Sequence, residues 1–368
     1  MKILHLASPN LGGIESYIFS HYKYMDQDKF QFDFMTQNRD LRDAEEYRNF
    51  RFNVKLLPTT AAKDPEDFTR RVYEILSEGY DVLHLHTCFW TGFRIEEIAR
   101  EIGIKKVIVH SHSSAIDETD VRRRELLLKR HEEVKRSFSS DLATDFWACS
   151  RKAADWLFGE QIPKSAIRVM KNAIEVERFQ FDPQMRQATR KELGLEGSWV
   201  LGTVGRLSFQ KNHAFLLEVF WAFHEAHPSA KLIIIGDGEL RCELGRQIEE
   251  SGLKDAVLLL GWKAAVENYL QAMDCFLLPS RFEGNPISLI EAAASGLPAV
   301  IADTITEEAV IADIIHRVPL DVFRWIFALE EILRQPIDRR EGERTVRMAG
   351  YDVRRQAKAL EMLYESRD

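Results

Sequence analysis

The sequence predicts an α/β protein made of two doubly wound domains, each built on a parallel sheet. Three observations carry this. Strand-like apolar runs alternate with amphipathic segments, most runs end in Gly, Ser, Asn, Pro or His before a helical pattern begins, and the alternation occurs twice, on either side of residues 171–198. Nearly all-apolar strands belong to parallel sheets covered on both faces. The 368 residues also exceed one ordinary core and divide into two of about 150–200 residues.

In the first half the runs are KILHLA, FQFDFMT, NVKLLP, DVLHLHT, KVIVHSH, DFWACS and IRVMKNA; in the second they are WVLGTVG, KLIIIGDG, AVLLLGW, CFLLPS and AVIAD. Helical patterns fill residues 13–24, 212–226 and 239–251. A further helix is expected through ISLIEAAAS, with Asn285 as its N-cap, Pro286 at the first helical position and Gly296 closing it before Pro298. The final amphipathic segment, 352–366, sets Val353, Ala357, Leu360 and Leu363 or Tyr364 on one side, suited to capping the second domain or crossing back to the first. Ligands of such sheets bind outside the carboxyl ends of the strands, where a two-domain protein forms its cleft.

Composition narrows the function. A formal net charge of −8 argues against non-specific nucleic-acid binding. The apolar start MKILHLASPN is too short for a signal peptide and reads as a first strand, and no apolar run approaches the roughly 20 residues of a membrane span. Cys88, Cys149, Cys242 and Cys275 are scattered without a CxxC pair, as in a reduced cytoplasmic protein.

The polar residues at the strand ends suggest a ligand. Arg206 and Lys211, in GTVGRLSFQKNH, suit a diphosphate, the one as a planar fork and the other as a point charge; two solvated loop cations are the plain alternative. GDG at 236–238 lets backbone approach a ligand or forms an ordinary tight turn, and it lacks the third glycine of a dinucleotide fingerprint. Gly12 and Gly13 permit an anion or sugar to approach the first strand-to-helix turn. Glu283, just before the Gly-Asn-Pro turn, and Glu291, within the following helix, would repel phosphate. They are therefore suited to adjacent sugar hydroxyls, one acid for a hexose and one for a ribose with the diphosphate between them. That is a nucleotide sugar.

The segments GGIE (12–15), NAIEVERF (172–179), GRLSFQKN (205–212) and EGNPISLIE (283–291), in this order, resemble family 4 glycosyltransferases of the GT-B fold, whose signature is the E-x7-E element. The likeness covers nearly the whole chain and is marked for bacterial exopolysaccharide and capsular polysaccharide glycosyltransferases. It implies two Rossmann-like domains facing across a cleft: an acceptor-side domain at 1–171 with 352–368, and a nucleotide-sugar donor domain at 172–351, with the C-terminal helix crossing back. It implies that Arg206 and Lys211 grip the diphosphate and stabilise the leaving group, and that Glu283 meets the donor sugar beside Gly284, Asn285, Pro286 and Ile287. It also implies that Glu291 binds the ribose, that Gly12 and Gly13 approach the phosphate, that backbone near Lys263 meets the base, and that His112 lies near the transferred sugar. Glu283, His112, Arg206 and Lys211 are the expected catalytic set. The implied reaction moves a hexose-type sugar with retention, from a nucleotide sugar carrying uracil, to a glycan or lipid-linked acceptor in surface polysaccharide biosynthesis. No DxD acid pair ends a strand, so two cations working without a metal, and no cofactor, fit the sequence.

Rival readings exist. His84/His86 and His110/His112 are His-x-His pairs on neighbouring strands, each with both rings on one face, and could ligate zinc in a metal-dependent hydrolase; no Asp or Glu stands near them as a shared ligand. A nucleotide-sugar epimerase would share the fold and donor residues, whereas a non-catalytic sugar-nucleotide-binding protein could dispense with Glu283. The basic segment 120–138 is either a solvated helix face balanced by Glu125, Glu132 and Glu133, or a peripheral contact with anionic lipid at the cytoplasmic membrane face.

Overall fold

Two parallel sheets organise the chain, in a computed structural model that describes residues 1–6, 12–37, 41, 47–335 and 338–366. The chain divides into one unit of Met1–Ile116, Asp120–Asn172 and Val353–Asp368, and a second of Asp117–Thr119 and Ala173–Asp352.

In the first unit the chain runs β1 (Lys2–Leu6), α1 (Gly13–Tyr22), β2 (Gln31–Thr36), β3 (Phe52–Leu56), α2 (Pro65–Leu76), β4 (Val82–Thr87), α3 (Arg94–Ile102), β5 (Lys106–Ser111), α4 (Val121–Ser137), β6 (Asp145–Ala148), α5 (Arg151–Leu157) and β7 (Ile167–Val169). The strands pair in the order β3-β2-β1-β4-β5-β6-β7, every pair parallel. Side chains alternate between the faces, as the period of two requires. Leu4, Leu83, Leu85, Val107 and Val109 enter the core beneath α2 and α3. Ile3, Val82 and Ile108 enter the opposite core with Tyr17 and Tyr22 of α1. Helices start where side-chain oxygens take up orphan N–H groups: Asp64 caps α2, Asp120 caps α4 and Ser150 caps α5.

The second unit runs α6 (Pro183–Glu192), β8 (Val200–Val204), α7 (His213–Ala226), β9 (Lys231–Ile235), α8 (Arg241–Glu250), β10 (Val257–Gly261), α9 (Val266–Ala272), β11 (Cys275–Leu278), α10 (Ile287–Ala294), β12 (Ala299–Ala302), β13 (Ile315–Val318), α11 (Val322–Arg334) and α12 (Gly342–Met348). Its strand order is β10-β9-β8-β11-β12-β13, again all parallel. On β9, Leu232 and Ile234 face one core while Ile233 and Ile235 face the other. The edge strand β13, IHRV, has no counterpart among the apolar runs, since His316 and Arg317 interrupt it.

The last helix, α13 (Val353–Glu365), packs in the first unit. Its Ala357, Leu360 and Tyr364 join the core of Ile3, Tyr17 and Trp147. Lys106 Nζ closes the helix end on the Leu363 carbonyl (2.5 Å) and on the Ser366 carbonyl and hydroxyl (both 2.9 Å).

The α10 cap differs from expectation. Pro286 itself holds the cap position, with no side-chain cap bond, and the Asn285 amide donates to the Tyr351 hydroxyl instead (3.0 Å). A tertiary partner outcompetes the local cap at this turn. Gly296 ends the segment at φ +62°, and a Cβ there would lie 2.0 Å from the Arg339 carbonyl.

Candidate active site

The strand order of the second sheet reverses between β8 and β11, so the loops leaving these strands become neighbours at a topological switch point. Arg281 N–H bonds the Gln210 carbonyl (2.8 Å), and Gln210 Nε2 returns a bond to the Phe282 carbonyl (3.0 Å). This stitching brings Lys211 Nζ to 2.7 Å from Glu283 Oε1, and Gln210 Nε2 to 3.1 Å from Glu283 Oε2. The pair is largely withdrawn from water, with side-chain exposures of 15% for Lys211 and 6% for Glu283. Arg206 stays exposed and pairs with Glu239 at 3.0 Å. Each expected diphosphate-gripping cation thus already holds a carboxylate.

On α10, Glu291 is partly buried, and its carboxylate makes no hydrogen bond or ion pair with the described residues. Burial pushes it up from its ordinary 4.5 to about 7; Glu267 pushes the same way, while Arg178 and Lys211 pull it down. Between those two pH values the folded chain binds the proton more tightly than the unfolded one. This group's contribution to stability is therefore full below the lower value and is lost as pH rises through the window, by up to about 3 kcal/mol. Glu291→Gln is expected to flatten that fall, raising the melting point at pH 8 relative to wild type more than at pH 5. An unchanged pH slope in the variant would contradict the raised carboxyl.

Arg178 lies in NAIEVERF, where the sequence assigns it no role. Its guanidinium donates to the Ala264 carbonyl (2.7 Å) and pairs with Glu267 (2.8 Å), tying down the loop after β10 that carries Lys263. Gln210, Tyr351 and Glu239 were also missed as partners of predicted site residues. The Gly-x-Gly of 236–238 serves backbone packing: Gly205 N–H bonds the Ile235 carbonyl (3.0 Å), Leu207 N–H bonds the Asp237 carbonyl (2.9 Å), and Leu240 N–H bonds the Leu207 carbonyl (3.1 Å). A Cβ on Gly236 would meet the Gly205 carbonyl oxygen at 1.9 Å, and one on Gly238 would meet that of Leu207 at 2.5 Å. The turn therefore braces the loop of Arg206, and α8 starts later than the helical pattern implied.

In the first unit, Gly12 N–H is taken by Glu15 Oε2 (3.0 Å), so the chain's own acid occupies this N–H at the start of α1. Gly12 is extended at φ −174°. The histidines of β4 and β5 are joined by His5 of β1 on one face of the sheet. His5 Nδ1 lies 3.0 Å from His86 Nε2, and His86 Nδ1 lies 2.8 Å from His112 Nε2. Alongside, Tyr364 Oη lies 2.8 Å from His84 Nδ1, and His84 Nε2 lies 3.2 Å from His110 Nδ1. Burial pushes all of these imidazoles down, holding them neutral. The trios His5/His84/His86 and His86/His110/His112 bring ring nitrogens within 4.8 Å of one another, so the metal-ligand grouping expected of the His-x-His pairs exists in space. On α4, Val121 and Leu126 stand exposed among Arg122, Arg123 and Arg124, while His131 and Val134 are buried. Among the described residues no helix is long and apolar enough to cross a membrane.

Comparison with known proteins identifies the family. The model for Glycosyltransferase Family 4 matches residues 11–178, and that for Glycosyl transferases group 1 matches residues 185–341. A Bacillus subtilis (strain 168) protein named as glycosyltransferase EpsF is 30% identical over 374 residues, covering 99% of this chain and 96% of the relative. The UDP-Gal:alpha-D-GlcNAc-diphosphoundecaprenol alpha-1,3-galactosyltransferase of Escherichia coli is 27% identical over 316 residues, covering 82% of this chain and 79% of its own. Anabaena Alr3699/HepE, solved with UDP-glucose, shares the fold at a TM-score of 0.75 with 18% identity, over 100% of both chains. The matches to both halves and the full-length relative lead to one conclusion: the chain is a glycosyltransferase of family 4, with the GT-B fold.

Proposed function

We propose that the chain transfers a hexose-type sugar from a UDP-sugar to a glycan or lipid-linked acceptor in bacterial surface polysaccharide biosynthesis, with retention and without a metal. The observation that carries this is the buried Lys211–Glu283 pair beside the unpaired Glu291. A donor diphosphate competes with Glu283 for Lys211. Drawing Lys211 onto phosphate frees the Glu283 carboxylate to accept hydrogen bonds from sugar hydroxyls, so donor binding exchanges one ion pair for another and arms the acid in the same step. Arg206, released from Glu239, adds a fork to the departing diphosphate. Attack comes from the face the diphosphate leaves, and the leaving phosphate oxygen takes the acceptor's proton. The Escherichia coli relative's name specifies a UDP-sugar donor and a diphosphoundecaprenol-linked acceptor, and the Anabaena neighbour holds UDP-glucose; both support the donor class.

Thermal melting in EDTA against UDP, GDP and ADP tests the proposal. A ligand of the folded state at a hundredfold excess over its dissociation constant adds about 2.7 kcal/mol. UDP is expected to raise the midpoint in EDTA. A rise with GDP or ADP alone would overturn the uracil assignment, and a rise that requires added divalent cation would overturn the metal-free one.

A further inference from the structure

The hydrogen-bond chain from His5 through His86 to His112 carries an inference about proton placement. A neutral imidazole has one N–H and one bare nitrogen, so such a chain can be ordered in only two ways. If the protons point inward, His112 Nε2–H donates to His86 Nδ1 and His86 Nε2–H donates to His5 Nδ1. His5 must then carry its own proton on Nε2, which is buried without a partner among the described residues. Among the described residues, aromatic rings surround it: those of Phe32, His84 and Phe34 lie 4.4, 5.1 and 5.6 Å from the His5 ring. If the protons point outward, His5 Nδ1–H donates to His86 Nε2 and His86 Nδ1–H donates to His112 Nε2. The stranded atom at His5 is then only a lone pair. An orphaned buried N–H is rarer and costlier than an under-satisfied acceptor, so the outward order wins. The parallel chain of Tyr364, His84 and His110 strands one donor in either order, His110 Nε2–H if Tyr364 donates and the Tyr364 hydroxyl if His84 donates to it, and it fixes nothing.

We infer that His5 and His86 are positioning residues that lock His112 in its Nδ1–H tautomer, so that His112 meets its ligand as a hydrogen-bond donor. The consequence is specific. Its Nε2 lone pair is committed to His86, and its Nδ1 carries a proton, so His112 has no free basic nitrogen. It orients an oxygen and cannot remove a proton. That the oxygen belongs to the donor sugar rests on the function proposed above; the tautomer does not.

The test has two arms. In histidine-15N-labelled protein, with the His112 signals identified by their absence in His112→Gln, Nδ1 is expected to show the protonated shift and Nε2 the bare one. In His86→Asn, whose amide keeps a donor in place of Nδ1, the pattern is expected to persist; in His86→Leu it is expected to be lost. A wild-type spectrum with the proton on Nε2 overturns the inference, as does zinc retained through dialysis with both nitrogens of the chain shifted. In the second arm, His86→Leu is expected to weaken UDP-sugar binding about tenfold, the size of one hydrogen bond, and to leave UDP alone unchanged. Equal losses for UDP and the UDP-sugar overturn the sugar contact. Failure of wild type to bind any nucleotide would count against the proposed function, while the spectra still decide the tautomer.

Discussion

Replacing Lys211 by Ala is expected to lower the transfer rate about 10²- to 10³-fold, the loss that follows removal of one preorganised charge from a developing anion. The geometry makes this variant more informative than an ordinary cation deletion. Lys211 is the ion-pair partner of a Glu283 that is only 5% exposed. Removing one partner of a buried pair costs about 3–5 kcal/mol, because the other charge stays behind. Lys211→Ala is therefore expected to lower the melting point as well as the rate, and Lys211→Ala with Glu283→Gln to recover the melting point without recovering the rate. Transfer kinetics and melting of the two variants check this. A double variant as unstable as the single would show that the loss does not come from a stranded Glu283 charge. An undiminished rate in Lys211→Ala would remove it from the chemistry.

The second large effect is expected from Gly236→Ala. The residue sits at φ +137°, a conformation that side chains rarely adopt, and its Cβ would fall 1.9 Å from a backbone oxygen of the Arg206 loop. Neither the strand end nor that loop can yield without breaking the bond from Gly205 N–H to the Ile235 carbonyl. A loss of about 3–5 kcal/mol is expected, or roughly 6–20 °C in melting point for a unit of this size. Gly245→Ala in α8 supplies the control of opposite sign. Nothing lies within 4 Å of its Cβ position, so alanine is expected to stabilise the helix, by about 0.5–1 kcal/mol. Thermal denaturation of the two variants decides both; similar melting points for Gly236→Ala and wild type would mean the turn is more pliable than its contacts indicate.

Most strands were legible because they are apolar runs long enough to cross a covered sheet. β13 was not, because His316 and Arg317 stand side by side in IHRV and leave neither an apolar run nor a strict alternation. The carboxylates and cations of the site were legible by type, since few ligands need both. Their pairing was not, because Lys211 and Glu283 are 72 residues apart and meet only when β11 pairs with β8. Asn285 shows the limit of local chemistry: it suits a helix cap, but its amide goes to Tyr351, 66 residues away. Arg178 stood in a recognised motif, yet its work is on a loop beyond β10 that no spacing rule connects to it. The histidines were legible as pairs, and His5 joined them only because β1 and β4 lie side by side, in register at His5 and His84.

The position of α13 bears on how the protein is made. Its Ala357, Leu360 and Tyr364 complete a core whose other walls come from the first strands and α1. On the ribosome those walls emerge early, and the side chains that seal them arrive only after the entire second unit has been synthesised. Until then the groove for α13, including His84 where Tyr364 will bond, is open to water and to other chains. Maturation of the first unit is thus timed by the arrival of the last, and this groove is the surface a chaperone has most reason to shield.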